Sequence, residues 1–357
     1  MLAGALLTIV LGGCARTRPP ARIVVFTYSN AFDLVREELG ADTSLVVFEK
    51  APVVSERLVT LHLAEQFAAR PEVTAVVGYF DSRTALMAAP VHNAAGLPQL
   101  VPTATSRQLR AAGPYTFMLA PDDSAEGEFI AGFVAERLGA RSATVFYTAD
   151  EYGFGLRSGV TEALRARGVD VVDEVLFGRP ACAPSARGPS DGRVVASLRR
   201  AVPAVIVLAV RTDEATCVIR SAHPLTPGAT YVAGDGVVLA GLRGLIWPAP
   251  QRLFAVSQWN PASDDSLAQA FVQRFRQRRL RDPNPADALE YDAASLLVQA
   301  VREVGPDRER VSHYLRELGS ARPPYRGVTG PIAFVRGARR PLAMLRFEPR
   351  GPFPVVP

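Results

Sequence analysis

The hydrophobic positions of the chain fall into short solid runs, separated by longer stretches in which they recur every three or four residues. Ile23–Thr27, Leu45–Phe48, Val73–Val77 and Leu100–Val101 are apolar runs too short for helices, the pattern of strands buried on both faces. Between them, Phe32–Leu39, Val54–Ala69 and a segment carrying Ala85, Leu86, Ala88, Ala89 and then Ala95 show helical spacing. In the second of these, Leu58, Leu61, Ala64, Phe67 and Ala68 share one face. The alternation of strand and helix predicts a parallel, doubly wound α/β lobe.

The same rhythm continues. Tyr115–Leu119 reads as a strand crossing to a second lobe, followed by a helix over Glu128–Leu138 and a strand over Ser142–Thr148. Helices are expected over Leu156–Arg167, Val194–Arg200 and Asp213–Ser221, with strands at Val169–Leu176, Ala204–Ala209 and Thr230–Ala233. Arg252–Ser257 reads as a strand leading back to the first lobe, before helices over Asp264–Arg279 and Ala286–Val304 and a final strand over Leu342–Phe347. Gly178–Gly192 is rich in Pro, Gly and Ser and reads as a long exposed loop.

The stretch from Val73 to Ser106 organises the first lobe. Gly78 ends a strand, and Asp81 or Ser82 can cap the helix that follows. Gly96 and Pro98 stop that helix, and Leu100–Val101 runs into the hydroxyl-rich loop Thr103-Ala104-Thr105-Ser106. Two strand ends, at Ser82 and at Thr103–Thr105, thus meet at the edge of an open parallel sheet where ligands bind, beside a helix N-terminus that favours an anion such as a carboxylate. Tyr28-Ser29-Asn30 follows the first strand at the same edge.

The order of these features resembles the leucine/isoleucine/valine-binding type of periplasmic solute-binding protein. The shared features are Gly78, Ser82, the Ala-rich helix, Gly96-Leu97-Pro98 and Pro102-Thr103-Ala104-Thr105. Further on come Pro121-Asp122-Asp123-Ser124, the loop Asp150-Glu151-Tyr152-Gly153-Phe154-Gly155, Tyr291-Asp292-Ala293 and Gly327-Val328-Thr329-Gly330. The resemblance runs from about Val73 to about Phe334 in the correct order, and it departs in the compressed segment Phe32–Ser44. It implies two doubly wound parallel-sheet lobes joined by three crossovers (a type I periplasmic binding fold), the third at Tyr325–Ile332. The first lobe would comprise residues 22–118 and 258–325, the second 119–257 and 326–357. It also implies that Ser82, Thr103, Ala104 and Thr105 bind the carboxylate of an amino acid, with Tyr28 at the same edge. Asp235, between Gly234 and Gly236, would neutralise its ammonium, and Tyr152 would supply an aromatic wall. Arg211 stands where relatives often carry a cleft aromatic, and Arg83 follows Ser82. An arginine in the cleft would favour a ligand with an extra acid; arginines that face solvent or pair with acids are the bland alternative. As structural readings of the same residues, Ser82 is an N-cap, Thr105 a turn hydroxyl, Asp235 a turn aspartate and Tyr152 a packing residue.

Composition adds location and removes several chemistries. A chain of 357 residues can build two lobes, and its 48% hydrophobic and 21% charged residues are ordinary for a globular protein. Lys50 is the sole lysine, so the net charge of +5 is carried by scattered arginines and does not read as a nucleic-acid footprint. The densest run, Arg274–Arg279, reads as a solvated helix face. Leu2–Leu11 is too short to span a bilayer and ends in Leu11-Gly12-Gly13-Cys14, which resembles a lipobox with Cys14 as the lipidated residue. Residues 1–14 would then be a signal peptide, residues 15–21 a tether, and the mature chain would lie outside the cytoplasm on a membrane anchor. A secretory signal with an incidental Cys14 is the other reading. Cys182 and Cys217 remain, as a disulfide or as two free thiols.

The histidines His62, His92, His223 and His313 are isolated, and no nucleophile elbow, zincin pair, Walker lysine or Cys-x-x-Cys spacing occurs. The residues therefore point to a binding protein with no cofactor or metal rather than to an enzyme. Three roles follow from the resemblance: delivery of an amino acid or related solute to an ABC permease, ligand sensing through a protein partner, or a scaffold that binds nothing.

Overall fold

The computed structural model describes residues 20–27, 29, 31–40, 44–178, 192–238, 252–335, 337–338, 340–347 and 355–356. Tyr28, Cys14 and Cys182 lie outside the described residues, as does most of the Gly178–Gly192 stretch.

The first sheet is built from β1 (Ala21–Phe26), β2 (Val46–Ala51), β3 (Val73–Val77), β4 (Gln99–Val101) and β5 (Thr116–Met118), connected in turn by α1 (Phe32–Leu39), α2 (Arg57–Ala68) and α3 (Ser82–Ala94). All its strands are parallel, in the order β2-β1-β3-β4-β5, with Val25 opposite Val77 where β1 meets β3. The chain then passes to a second sheet through α4 (Asp123–Gly132), β6 (Ser142–Thr148), α5 (Glu151–Ala166), β7 (Asp170–Phe177), α6 (Gly192–Arg200), β8 (Val205–Ala209), α7 (Thr212–Ala222), β9 (Thr230–Ala233) and β10 (Leu253–Ser257). It returns through α8 (Ser266–Arg279), α9 (Pro285–Val304) and α10 (Arg308–Glu317) and a hairpin of β11 (Tyr325–Gly327) and β12 (Gly330–Ile332). It ends on the second sheet with β13 (Ala343–Arg346) and β14 (Val355–Val356). These last two strands run antiparallel, so the second sheet is parallel over β7-β6-β8-β9-β10 and mixed at one edge, which departs from the all-parallel expectation.

Both parallel blocks have the doubly wound order 2-1-3-4-5, with switch points at β1/β3 and β6/β8. Their strands read as unbroken apolar runs because both faces are covered. On one face of the first sheet, Ile23, Val25, Ala75 and Val77 pack with Leu289, Leu296, Leu297 and Val301 of α9. On the other, Val24, Val76 and Val101 pack with Phe67 of α2 and Ala85 and Ala88 of α3. The second sheet buries two further clusters, one around Phe146, Ile206 and Tyr231 and one around Val145, Val207 and Val232.

Several elements differ from the sequence pattern for identifiable reasons. Asp150–Gly155 is not a loop: Asp150 accepts from the Gly153 N–H (2.8 Å), and α5 starts at Glu151. Likewise Asp122 caps α4 by accepting from the Ser124 and Ala125 N–H groups. On α2 the buried residues are Thr60, Ala64 and Phe67, while Leu58 is 80% exposed at the first turn. Helix α10 was not anticipated because its apolar stripe, Val311, Tyr314 and Leu315, is thin within a charged sequence. Its Arg308 guanidinium donates to the carbonyls of Ala68, Arg70, Val73 and Ala95. The β11–β12 hairpin packs Val328 and Ile332 into the first sheet's core.

The hairpin is latched by one side chain. Asp292 of α9 is fully buried and accepts from the N–H of Val328 (2.7 Å), the N–H of Thr329 (2.9 Å) and the Thr329 hydroxyl (2.5 Å). Asp292→Asn turns an amide NH2 toward these donors, and it should cost about 2–4 kcal/mol of unfolding free energy, read by urea denaturation, with the parent β-structure retained in circular dichroism.

Candidate functional site

A cavity of about 240 Å³ lies where the C-terminal ends of β3 and β4 face those of β6, β8 and β9. It is lined by Phe80, Asp81, Ser82, Thr103, Ala104, Thr105, Tyr152, Arg211, Thr212, Asp213, Glu214, Asp235 and Gly236. Every candidate residue within the described part of the chain, namely Ser82, Thr103, Ala104, Thr105, Tyr152, Arg211 and Asp235, therefore converges on one cavity drawn from both sheets. A wider groove of about 680 Å³ borders the crossovers near Trp259 and Val328 and brings none of them together.

The first-sheet wall is built from its loops inward. Gly78, at φ +138°, lets the chain leave β3 with a Cβ-free approach to Phe26. Asp81 caps α3 by accepting from the Thr84 N–H (3.0 Å), so Ser82 is not the cap. Its hydroxyl instead accepts from the Ser106 N–H (3.2 Å), and the Thr103 hydroxyl donates to the Phe80 carbonyl (2.5 Å). The two loops are thereby knitted into one surface at the N-terminus of a 13-residue helix, whose dipole favours negative charge. The Thr105 carbonyl accepts from the Asp123 N–H (2.8 Å), linking this wall to the first turn of α4. Ahead of the Tyr28 loop, Glu290 of α9 accepts from the Thr27 hydroxyl and the Phe32 N–H.

The second-sheet wall carries the charge. Asp235 is 1% exposed at the end of β9, and its Oδ2 accepts from Gln258 Nε2 (2.6 Å) while Oδ1 has no hydrogen-bond donor. Burial pushes its pKa up to about 6, opposed by the neighbouring Tyr152 hydroxyl. Tyr152 is 5% exposed, and its hydroxyl accepts from the Gly236 N–H (2.9 Å). Its ring lies under the Arg211 guanidinium, 5.1 Å away. Arg211 pairs with Asp150, whose pKa is lowered although burial opposes it, because the guanidinium and the Gly153 N–H favour the carboxylate. Arg211 thus reaches the cavity already neutralised within its own lobe. Arg83 points away and donates to the Ser55 carbonyl.

Sequence reading passed over three residues behind Asp235: Asp123 and Glu126 of α4, and Gln258 after β10. Asp123 and Glu126 are three apart on a helix face that otherwise carries Gly127, Ile130 and Ala131. Two acids on an apolar stripe are the signal that could have found them. Of the histidines, His92 is fully buried on Gln99 and held neutral, its pKa lowered to about 4 by burial. Among the described residues no group of three or more His, Cys, Asp or Glu could hold a metal ion, and no helix is long and apolar enough to cross a membrane. Cys217 is disulfide-bonded, and both other cysteines of the chain lie outside the described residues.

Glycine spacing protects the cavity. A Cβ on Gly236 would meet the Tyr152 hydroxyl at 2.8 Å, whereas one on Gly228 would meet nothing within 4 Å. Gly236→Ala should therefore destabilise the protein by about 1–3 kcal/mol in urea melts, and Gly228→Ala should stay within about 0.5 kcal/mol of the parent.

A family model described as periplasmic binding protein matches residues 31–347. An amino acid binding protein of Pseudomonas aeruginosa is 24% identical over 212 residues, which covers 59% of this chain and 54% of that one. An uncharacterised protein of Methanocaldococcus jannaschii is 28% identical over 141 residues, covering 40% of this chain and 31% of its own length. The chain thus aligns with about half or less of these curated relatives. A leucine-binding protein of Thermotoga maritima superposes with a TM-score of 0.82 at 21% identity, covering 94% of this chain and 98% of the other. With the family model spanning most of the chain, and the same fold in a solved relative, the protein belongs to the periplasmic binding protein family.

Proposed function

We propose that this protein captures an amino acid or a closely related zwitterion between its two lobes, outside the cytoplasm, and presents it to an ABC importer. The observation that carries the reading is the polarity of the one cavity. A helix N-terminus with hydroxyl-bearing loops forms one wall, and a buried carboxylate with a free oxygen forms the other. A ligand that brings a carboxylate to Ser82 and Thr103–Thr105 and an ammonium to Asp235 satisfies both walls at once. The volume agrees, being below the roughly 300–1,000 Å³ of sites for drug-sized ligands. The P. aeruginosa relative is an amino acid binding protein and the T. maritima structure a leucine-binding protein, which supports the same class.

Arg211 does not call for a second acid on the ligand, because Asp150 already answers its charge. It sets a polar ceiling over Tyr152 rather than an apolar one, so the reading extends to polar side chains and is not restricted to branched aliphatic ones. Closure of the two lobes would exclude water and strengthen the ammonium–Asp235 contact, and the closed form is what a permease would recognise. Cys14 would carry the lipid that keeps the protein at the membrane.

The test is a thermal-shift screen of residues 20–357, stripped of ligand by refolding, against the amino acids, their amides and dicarboxylates. One class should raise the midpoint in proportion to the logarithm of its concentration. Asp235→Ala should weaken that ligand by roughly 30-fold or more, the cost of leaving an ammonium without its counter-charge. A flat screen would overturn the reading.

A further inference from the structure

Behind Asp235 the structure assembles acids that a single ligand ammonium does not account for. Asp123, Glu126 and Asp235 are each at most 1% exposed. Glu126 Oε1 accepts from the Asp235 backbone N–H at 2.7 Å, which fixes the Glu126 carboxyl against the turn that carries Asp235. Neither oxygen of Asp123, nor Oε2 of Glu126 or Oδ1 of Asp235, has a protein hydrogen-bond donor in good geometry, although the nearby Thr105 and Tyr152 hydroxyls favour the charged forms of Asp123 and Asp235. The approach is built in: a Cβ on Gly234 would come within 2.9 Å of Glu126 Oε1, and a Cβ on Gly155 within 2.1 Å of Asp123 Oδ2.

Cations do not resolve the cluster. Arg211 is paired with Asp150 and acts on Asp235 only through space, as the exposed Arg107 does on Asp123. Asp122 adds negative charge but is paired with Arg110. Tyr152 is neutral, its pKa pushed far up by burial. Carboxylates this close in a dry site cannot all ionise, so protons must be held there.

We propose that Glu126 is a positioning residue of the ligand site: in the empty protein it holds one proton jointly with Asp235, and a ligand ammonium arriving at Asp235 drives that proton into solvent. The inference rests on the amino acid reading above. It makes ligand capture proton-linked, with affinity rising as pH rises, because proton and ammonium compete for the same pair. Burial supports it by pushing Asp235 up to about 6, Asp123 up to about 7 and Glu126 in the same direction.

Glu126→Gln is the deciding variant, since glutamine keeps the acceptor for the Asp235 N–H and imitates the protonated acid. The first measurement needs no ligand. An acid whose folded pKa is raised binds more protons folded than unfolded, so stability falls as pH rises from its unfolded pKa toward the raised value. Melting of the stripped parent should therefore decline from about pH 5 to about pH 8 more steeply than that of Glu126→Gln. Parallel curves would overturn the proposal. The second measurement is titration calorimetry with L-leucine and L-glutamine as probes, in phosphate and in Tris. Parent heats should depend on the buffer, and affinity should rise with pH by up to about tenfold per unit, the limit for one proton. Both effects should be clearly smaller in Glu126→Gln, where only Asp235 itself can exchange a proton for the ammonium, and equal buffer dependence in the two proteins would overturn the proposal. Failure of both probes to bind, with the melting curves diverging as expected, would fall on the choice of ligand class and not on the proton pair.

Discussion

A buried carboxyl group at the edge of the cavity, whose nearest cation is already paired with another acid, is the constraint around which the second-sheet wall is arranged. Asp235 meets it at the end of β9, with one oxygen satisfied by Gln258 and the other bare. Desolvation of a charge costs far more than a surface ion pair returns, so such a group persists only where something else compensates it. In the reading proposed above, the compensation would be divided between a second acid that can keep a proton and a ligand cation in the cavity. The rest of the second-sheet wall fits that arrangement: Gly234 and Gly236 leave room for Glu126 and Tyr152, and Arg211 is paired with Asp150.

The fold supplies the matching half. Two parallel blocks with the same doubly wound order point the C-terminal ends of their strands at one another, so each contributes its ligand-facing edge to the same space. The first sheet offers a helix start and knitted hydroxyl loops, the second an acid and an aromatic ring. Neither wall alone would orient a zwitterion. Buried strands held on both faces fix these edges, and Asp292 anchors the last hairpin to α9.

Much of this was legible in the sequence because it depends on local pattern. Strands such as Val73–Val77 and Ser142–Thr148 are continuous apolar runs, and the cavity residues from Ser82 to Asp235 sit at strand ends that the alternation itself locates. What could not be read depends on contacts between distant segments. Whether Ser82 caps a helix or bridges two loops is decided by Asp81, which takes the cap. Arg211 looked like a specificity determinant until Asp150, sixty-one residues away, was seen to hold it. Glu126 and Asp235 are 109 residues apart, and no spacing rule connects them. Of the helical stripe read on α2, Ala64 and Phe67 are buried and only Leu58, at the first turn, is left in solvent.

The most direct measurement is a crystal structure of the protein grown with the amino acid that stabilises it most. The account predicts one molecule between the sheets, its ammonium nitrogen about 3 Å from Asp235 Oδ1 and its carboxylate on the Ser82 and Thr103–Thr105 wall. A ligand seated with its carboxylate toward Asp235, or found in the groove beside Trp259 with the cavity empty, would contradict it.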